Sequence, residues 1–217
     1  MDENIDRFTR CRMLFGDKFE DIQKLKVIIL GLGGVGSHAL DCLYKSGVKD
    51  ITIVDYDTFD ITNQNRQIGA QHLDELKVDV LAKLYPGIKI KNERVTKQWV
   101  KDNELFSYDF ILDAIDDIYP KIELIKKYYK TIITTSGSAK RIDPTKIQYI
   151  SIWDTFNDPF IKIIRKTLKK DGFNKKLTIV FSSEEAKSTQ KGSYIGVTAG
   201  FGLAMCSYCI NKTLSKV

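Results

Sequence analysis

VIILGLGGVGS, residues 27–37, decides the fold. An unbroken run of branched apolar side chains turns into glycines, and Gly34 to Ser46 then carries apolar side chains at helical spacing. Such a run reads as a strand buried on both faces, the pattern of a parallel sheet. Gly31, Gly33 and Gly36 fit G-x-G-x-x-G, with Gly34 in addition. Glycine here permits a tight turn and close approach of the backbone to a ligand. The helix that follows offers its first N–H groups to phosphate. Two ligands remain open at this point, the pyrophosphate of a dinucleotide and the triphosphate of ATP.

Outward from this stretch, strands and helices alternate. ITIV (51–54) is a second strand, residues 72–85 suit a helix closed by Pro86-Gly87, and IKIKN (88–92) is a short strand. FILDAID (110–116) is a fourth strand running into a loop. Pro120 opens a helix reaching about Lys130, and TIITT (131–135) is a fifth strand. The alternation predicts an α/β fold, a Rossmann-like and mostly parallel sheet with helices on both faces.

After Ser136 the pattern changes to a C-terminal mixed extension. KIQYISIW (146–153) alternates like a half-exposed strand. DPFIKIIRKTLKK (158–170) is an amphipathic helix with Asp158 as N-cap and Pro159 at its first position. LTIVFS (177–182) is a strand, and EEAKSTQKGS (184–193) is a polar loop. The expectation is one unit over 1–217, with a nucleotide-binding core (1–136) and a substrate-side extension (137–217) woven into it. Tyr194 to Ile210 has the length of a membrane span, but three glycines, a Thr, a Ser and a second Tyr make it a buried helix rather than an anchor. MDENIDRF is no signal peptide, and four scattered cysteines (11, 42, 206, 209) in a chain that needs no disulfide staples point to a reducing, cytoplasmic setting.

The charge balance, 34 Lys+Arg against 28 Asp+Glu, leaves a net +6. That surplus favours an anionic partner such as nucleic acid, although lysine-rich surfaces without one are common. Asp55 follows the glycines by about 20 residues, where a carboxylate accepts from ribose hydroxyls. To this point a dehydrogenase fits equally well. DYDTFDITNQNRQIGAQHLDELKVDVL (55–81) then adds Asn63, Asn65, Arg66, Gln67 and Lys77. A dehydrogenase has no use for such a cluster beside the ribose. Cleavage of ATP at the α-phosphate does, because cations and amides offset and orient the phosphate oxygens. LDAIDD (112–117) places Asp113 at the carboxyl end of a central strand, where it can hold Mg²⁺ against phosphates, with Asp116 as a second carboxylate.

These motifs in this order resemble the superfamily of ubiquitin-activating enzymes and their bacterial relatives of the MoeB and ThiF type, which adenylate a carboxylate. The resemblance covers residues 7 to about 135. It implies that Asp55 binds ribose, with Asp57 beside it, and that Asn63, Arg66 and Lys77 bind phosphates. Asp113 would then hold Mg²⁺. RFTRCRMLFG (7–16) resembles the segment whose arginine reaches ATP across a dimer interface, which implies a homodimer with Arg10, or alternatively Arg12, in that role. Members acting on ubiquitin-like tails often carry two CxxC pairs around zinc. Here Cys206-x-x-Cys209 stands alone, and at i and i+3 of a helix both thiols face the core. No cysteine occurs between 43 and 205, which disfavours thioester chemistry.

The later segments TTSGSAKRIDPTKI, DPFIKIIRKTLKK and VFSSE resemble the tRNA threonylcarbamoyladenosine dehydratase branch. That branch is implied to activate, with ATP, the side-chain carboxylate of a modified adenosine next to the anticodon, giving a cyclised base. Lys140, Arg141, Lys146, Lys162, Arg165, Lys166, Lys169 and Lys170 could track tRNA phosphates. Some relatives bind a monovalent cation (Na⁺ or K⁺) through backbone oxygens of the loop after the fifth strand. This loop is thinner here, with Gly137 alone in SGSAK. The alternatives are an adenylyltransferase for a ubiquitin-like sulfur-carrier protein, an NAD(P)-binding oxidoreductase and a nucleotide-binding scaffold without catalysis.

Overall fold

Strand β1 (Lys26–Leu30) is buried from Val27 to Leu30, and its alternate side chains feed two different cores. In the computed structural model, which describes residues 5–190 and 192–215, this strand lies inside a seven-stranded sheet, between β2 (Asp50–Asp55) and β4 (Phe110–Asp113). The first four residues of the polar opening, and Lys191 of the 184–193 loop, lie outside the described residues. The sheet runs β3 (Lys89–Asn92), β2 (Asp50–Asp55), β1, β4 (Phe110–Asp113), β5 (Ile132–Thr135), β7 (Thr178–Ser182), β6 (Ile147–Ser151). All pairs are parallel except β6 with β7. The extension therefore completes the sheet rather than packing beside it.

Helices cover both faces. Val27, Ile29, Ile51 and Ile53 pack with α3 (Gly36–Lys45), α4 (Lys77–Leu84) and α8 (Ile195–Leu214). Ile28, Leu30 and Ile111 pack with α5 (Lys97–Asp102), α6 (Ile118–Tyr128) and α7 (Pro159–Lys170). Two short helices, α1 (Thr9–Phe15) and α2 (Phe19–Gln23), precede β1. The capping signals act as read. Asp158 accepts from Ile161 N at 3.1 Å with Pro159 at the first position of α7, whose Ile161, Ile164 and Leu168 form the buried stripe.

Three departures have local causes. The helix read at 72–85 begins only at Lys77. Gly69 and Asp74 take positive φ, and Thr58 bridges Leu76, so the chain winds back to set Lys77 beside Asp57. Helix α5 was absent from the sequence reading. It is six residues long, nucleated by Thr96 Oγ1 accepting from Trp99 N and anchored by buried Trp99 and Val100. Finally, Cys206 does not face the core as a free thiol. It is joined to Cys42 across α3 and α8, their Cα atoms 6.1 Å apart, while Cys209 is free and buried. A pairing over 164 residues leaves no local trace in sequence. No described helix is long and apolar enough to cross a membrane. Helix α8 is instead buried against α3, where a side chain at Gly202 would meet Val35 O at 2.3 Å.

Candidate active site

The sheet order reverses between β1 and β4, the place where an open α/β sheet leaves a crevice at its strands' carboxyl ends. A cavity of about 740 Å³ occupies it, within the usual range for ligand sites. Gly31, Gly33 and Gly34 line one side. The turn is tight enough to demand glycine twice: Gly31 has φ +88°, and a Cβ on Gly36 would lie 1.8 Å from Gly31 O. No side chain caps the N-terminus of α3, which follows the turn.

Asp55 lines the cavity but also builds it. One carboxylate oxygen accepts from Leu32 N at 2.6 Å and the other from Asp57 N at 2.8 Å. It thus ties the end of β2 to the glycine turn, and each oxygen keeps a further lone pair for a ligand. Asn63, Arg66, Gln67 and Lys77 line the same cavity. Lys77 is buried and its Nζ donates to Asp57 Oδ2 at 3.2 Å, so the cation is held in place before any ligand arrives. Arg66 Nη1 donates to Thr62 O at 2.7 Å and to Asn65 Oδ1 at 2.8 Å. Asn65 is therefore a support for Arg66 and, through its amide to Ser193 O at 3.0 Å, for the loop before α8. The Gln67 Oε1 atom is buried with no partner.

The expectation for Asp113 needs correction. Its side chain is fully buried, and one carboxylate oxygen accepts from Lys121 Nζ at 2.8 Å and Thr134 Oγ1 at 2.6 Å. Burial pushes the Lys121 ammonium below the ordinary lysine range, opposed by the Asp113 charge. Removing one partner of such a pair costs about 3–5 kcal/mol. A carboxylate engaged in this way is not placed to hold a metal. Asp116, further along the turn, is exposed and lines the cavity with Asp117. Asp117 is occupied as the N-cap of α6. No cluster of three metal-ligating side chains occurs among the described residues. Mg²⁺ fits such a site only as it usually binds, on one or two carboxylates together with phosphate oxygens.

Arg10 and Arg12 do not line this cavity. Arg10 is exposed on α1, and Arg12 pairs with Asp6 at 2.7 Å. The far wall comes from the extension and includes Ser138, Asn157 and Phe160. Arg141 is buried there. It donates to the carbonyls of Gly137, Ala139 and Glu184 and pairs with Asp158 at 3.2 Å. Two backbone oxygens of the loop after β5, those of Gly137 and Ala139, thus already accept from a guanidinium, and Arg141 is not a surface residue for tRNA. Arg165 is likewise turned inward, onto Thr155. Lys146, Lys162, Lys166, Lys169 and Lys170 are exposed as expected. Sequence reading missed Lys121, Tyr56 and Arg94. The last two line the cavity with the guanidinium 5.0 Å from the ring centroid, and only their position after β2 and β3 could have marked them.

Fold and cavity together define a nucleotide-binding α/β protein whose cavity carries cations beside the glycine turn and is closed on the other side by the extension. The chain belongs to the ThiF family, which it matches over residues 7–145. It is 35% identical over 192 residues to the tRNA threonylcarbamoyladenosine dehydratase of Bacillus subtilis (strain 168), covering 83% of this chain and 76% of that protein. It is 31% identical to the protein of the same name from Escherichia coli (strain K12), covering 97% and 94%. The solved E. coli tRNA N6-threonylcarbamoyladenosine dehydratase in complex with ATP superposes with a TM-score of 0.91 over 97% of this chain and 94% of that one, at 31% identity.

Proposed function

We propose that this chain is an ATP-dependent tRNA threonylcarbamoyladenosine dehydratase. The observation that carries the reading is the two-sided cavity. Arg66 and Lys77 stand with the glycine turn on the phosphate side, the extension forms the other side, and no cysteine lines it. The similarity to the E. coli protein and to its ATP complex runs over 97% of this chain, and so takes in the extension.

The chemistry follows from leaving groups. Hydroxide leaves a carboxylate poorly. The threonyl carboxylate therefore attacks the α-phosphorus of ATP, one P–O bond forms, and pyrophosphate departs. A nucleophilic atom of the same carbamoyl side chain then attacks the acyl carbon, the bond to AMP breaks, and a proton passes to solvent. Intramolecular closure is worth an effective molarity above roughly 10⁵ M, so no enzyme thiol is needed. Lys77 and Arg66 offset charge on the phosphates, and Asp55 receives the ribose. Asp116, rather than Asp113, faces Mg²⁺ where that ion would neutralise phosphate charge. Arg10, or Arg12, completes the site of a partner copy in a homodimer. The exposed lysines of α7 guide tRNA, and the reaction belongs in the cytoplasm with its substrate. Arg141 takes the place of a bound monovalent ion.

The test is nucleoside analysis by mass spectrometry of tRNA carrying threonylcarbamoyladenosine, incubated with the protein and Mg-ATP. Loss of one water from that nucleoside, with AMP and pyrophosphate released, is expected. AMP release stimulated only by a sulfur-carrier protein would refute the reading.

A further inference from the structure

The buried pair beneath the turn from β4 to α6 does not line the cavity, yet every N–H of its lysine is assigned. Lysine has three N–H groups. Those of Lys121 face Asp113 Oδ2 at 2.8 Å, Asp113 O at 3.3 Å and Thr134 Oγ1 at 2.9 Å. Thr134 in turn donates to Asp113 Oδ2. The other Asp113 oxygen accepts from Ile115 N at 3.3 Å, and Ala114 N donates to Leu30 O at 2.9 Å. Only Ala114 and Ile115 separate this network from Asp116, and both line the cavity. On its other side the ammonium lies 5.9 Å from the ring centroid of Phe160, which lines the cavity from the extension. A fully buried ion pair is a poor source of stability, since apolar side chains of equal volume do as well or better. What a fully bonded network supplies is fixed geometry.

We propose that Lys121 is a positioning residue: by gripping Asp113 and Thr134 it fixes the turn so that the Asp116 carboxylate meets magnesium carried in with ATP. This rests on the reading of the cavity as an ATP site. Supporting groups of this kind typically set metal affinity by about 10–100-fold.

The experiment is calorimetric titration of ATP into the full chain, once with Mg²⁺ and once with a chelator in its place. The wild type binds ATP more tightly with the metal. Lys121→Met loses about 10-fold or more of that gain, while metal-free ATP binds nearly as before. Asp116→Asn does the same, and the two substitutions together are no worse than either alone. Because Lys121→Met leaves Asp113 buried without a counter-charge, the doubly neutral Asp113→Asn/Lys121→Met protein is measured beside it, with thermal melting as the check on folding. It too loses the metal-dependent gain. Retention of the full gain in either variant overturns the proposal. So do equal loss of metal-free binding, effects that add to those of Asp116→Asn, and failure of both variants to fold, which assigns the pair to stability alone. A wild type that binds ATP with no gain from the metal overturns this inference and leaves the nucleotide site standing. A wild type that binds no ATP refutes the site itself.

Discussion

Lys77 holds its charge at the cavity wall through an ion pair with Asp57, whose side chain is 46% exposed. That asymmetry separates function from stability. Lys77→Met removes the cation proposed to meet phosphate but leaves a half-exposed carboxylate behind. Turnover is expected to fall by roughly 10²-fold with the melting temperature nearly unchanged, and AMP-release assays beside thermal melts check both. His38 gives a pH signature. Its Nε2 donates to Arg66 O at 3.2 Å, and burial lowers its pKa from 6.5. The folded protein then binds fewer protons than the unfolded chain as pH falls through that value, so stability drops on acidification. His38→Gln is expected to lose less stability between about pH 7 and pH 5, read by denaturant midpoints at each pH. At this scale the sequence singled out Asp55, Arg66 and Lys77, and the fold brings all three to one cavity: Asp55 ends β2, and the loop between β2 and α4 returns Arg66 and Lys77 to the glycine turn. The sequence could not reveal that Asp113 is taken by Lys121. That pairing depends on where α6 starts, and a lysine one turn into a helix reads as an ordinary surface charge.

Helix α8 shows the same division at the level of elements. Its apolar run was legible, and so was its burial. The depth of its contact with α3 was not. A methyl group at Gly202 would meet Val35 O at 2.3 Å and Ala39 N at 2.8 Å, both backbone atoms that cannot rotate away. Gly202→Ala gains about 1 kcal/mol of helix propensity but is expected to cost about 1–3 kcal/mol net through overpacking. Leu203→Ala, on the 47% exposed side, should change little. Urea midpoints for the two variants check the contrast. Short elements were the ones sequence missed: α5 has too few residues for a periodic signal, and the late start of α4 is set by a tertiary contact between Lys77 and Asp57.

At the scale of the molecule, the sheet passes without a break from the nucleotide half to the extension, through β5 paired with β7. The alternation of strands and helices made a parallel sheet readable as far as β5, though not the order of its strands. The antiparallel return of β6 at the edge is a choice of topology that the half-exposed pattern of 147–151 only hints at. The consequence is a cavity whose two walls come from opposite halves of the chain, suited to joining a phosphate and an acid. Isotope transfer tests that claim most directly. Substrate tRNA carrying ¹⁸O in the threonyl carboxylate is incubated with the protein and Mg-ATP, and the products are weighed. Attack of the carboxylate on the α-phosphorus predicts one ¹⁸O atom in AMP and none in pyrophosphate. Label found in inorganic phosphate, or a cyclised nucleoside formed with unlabelled AMP, would contradict it.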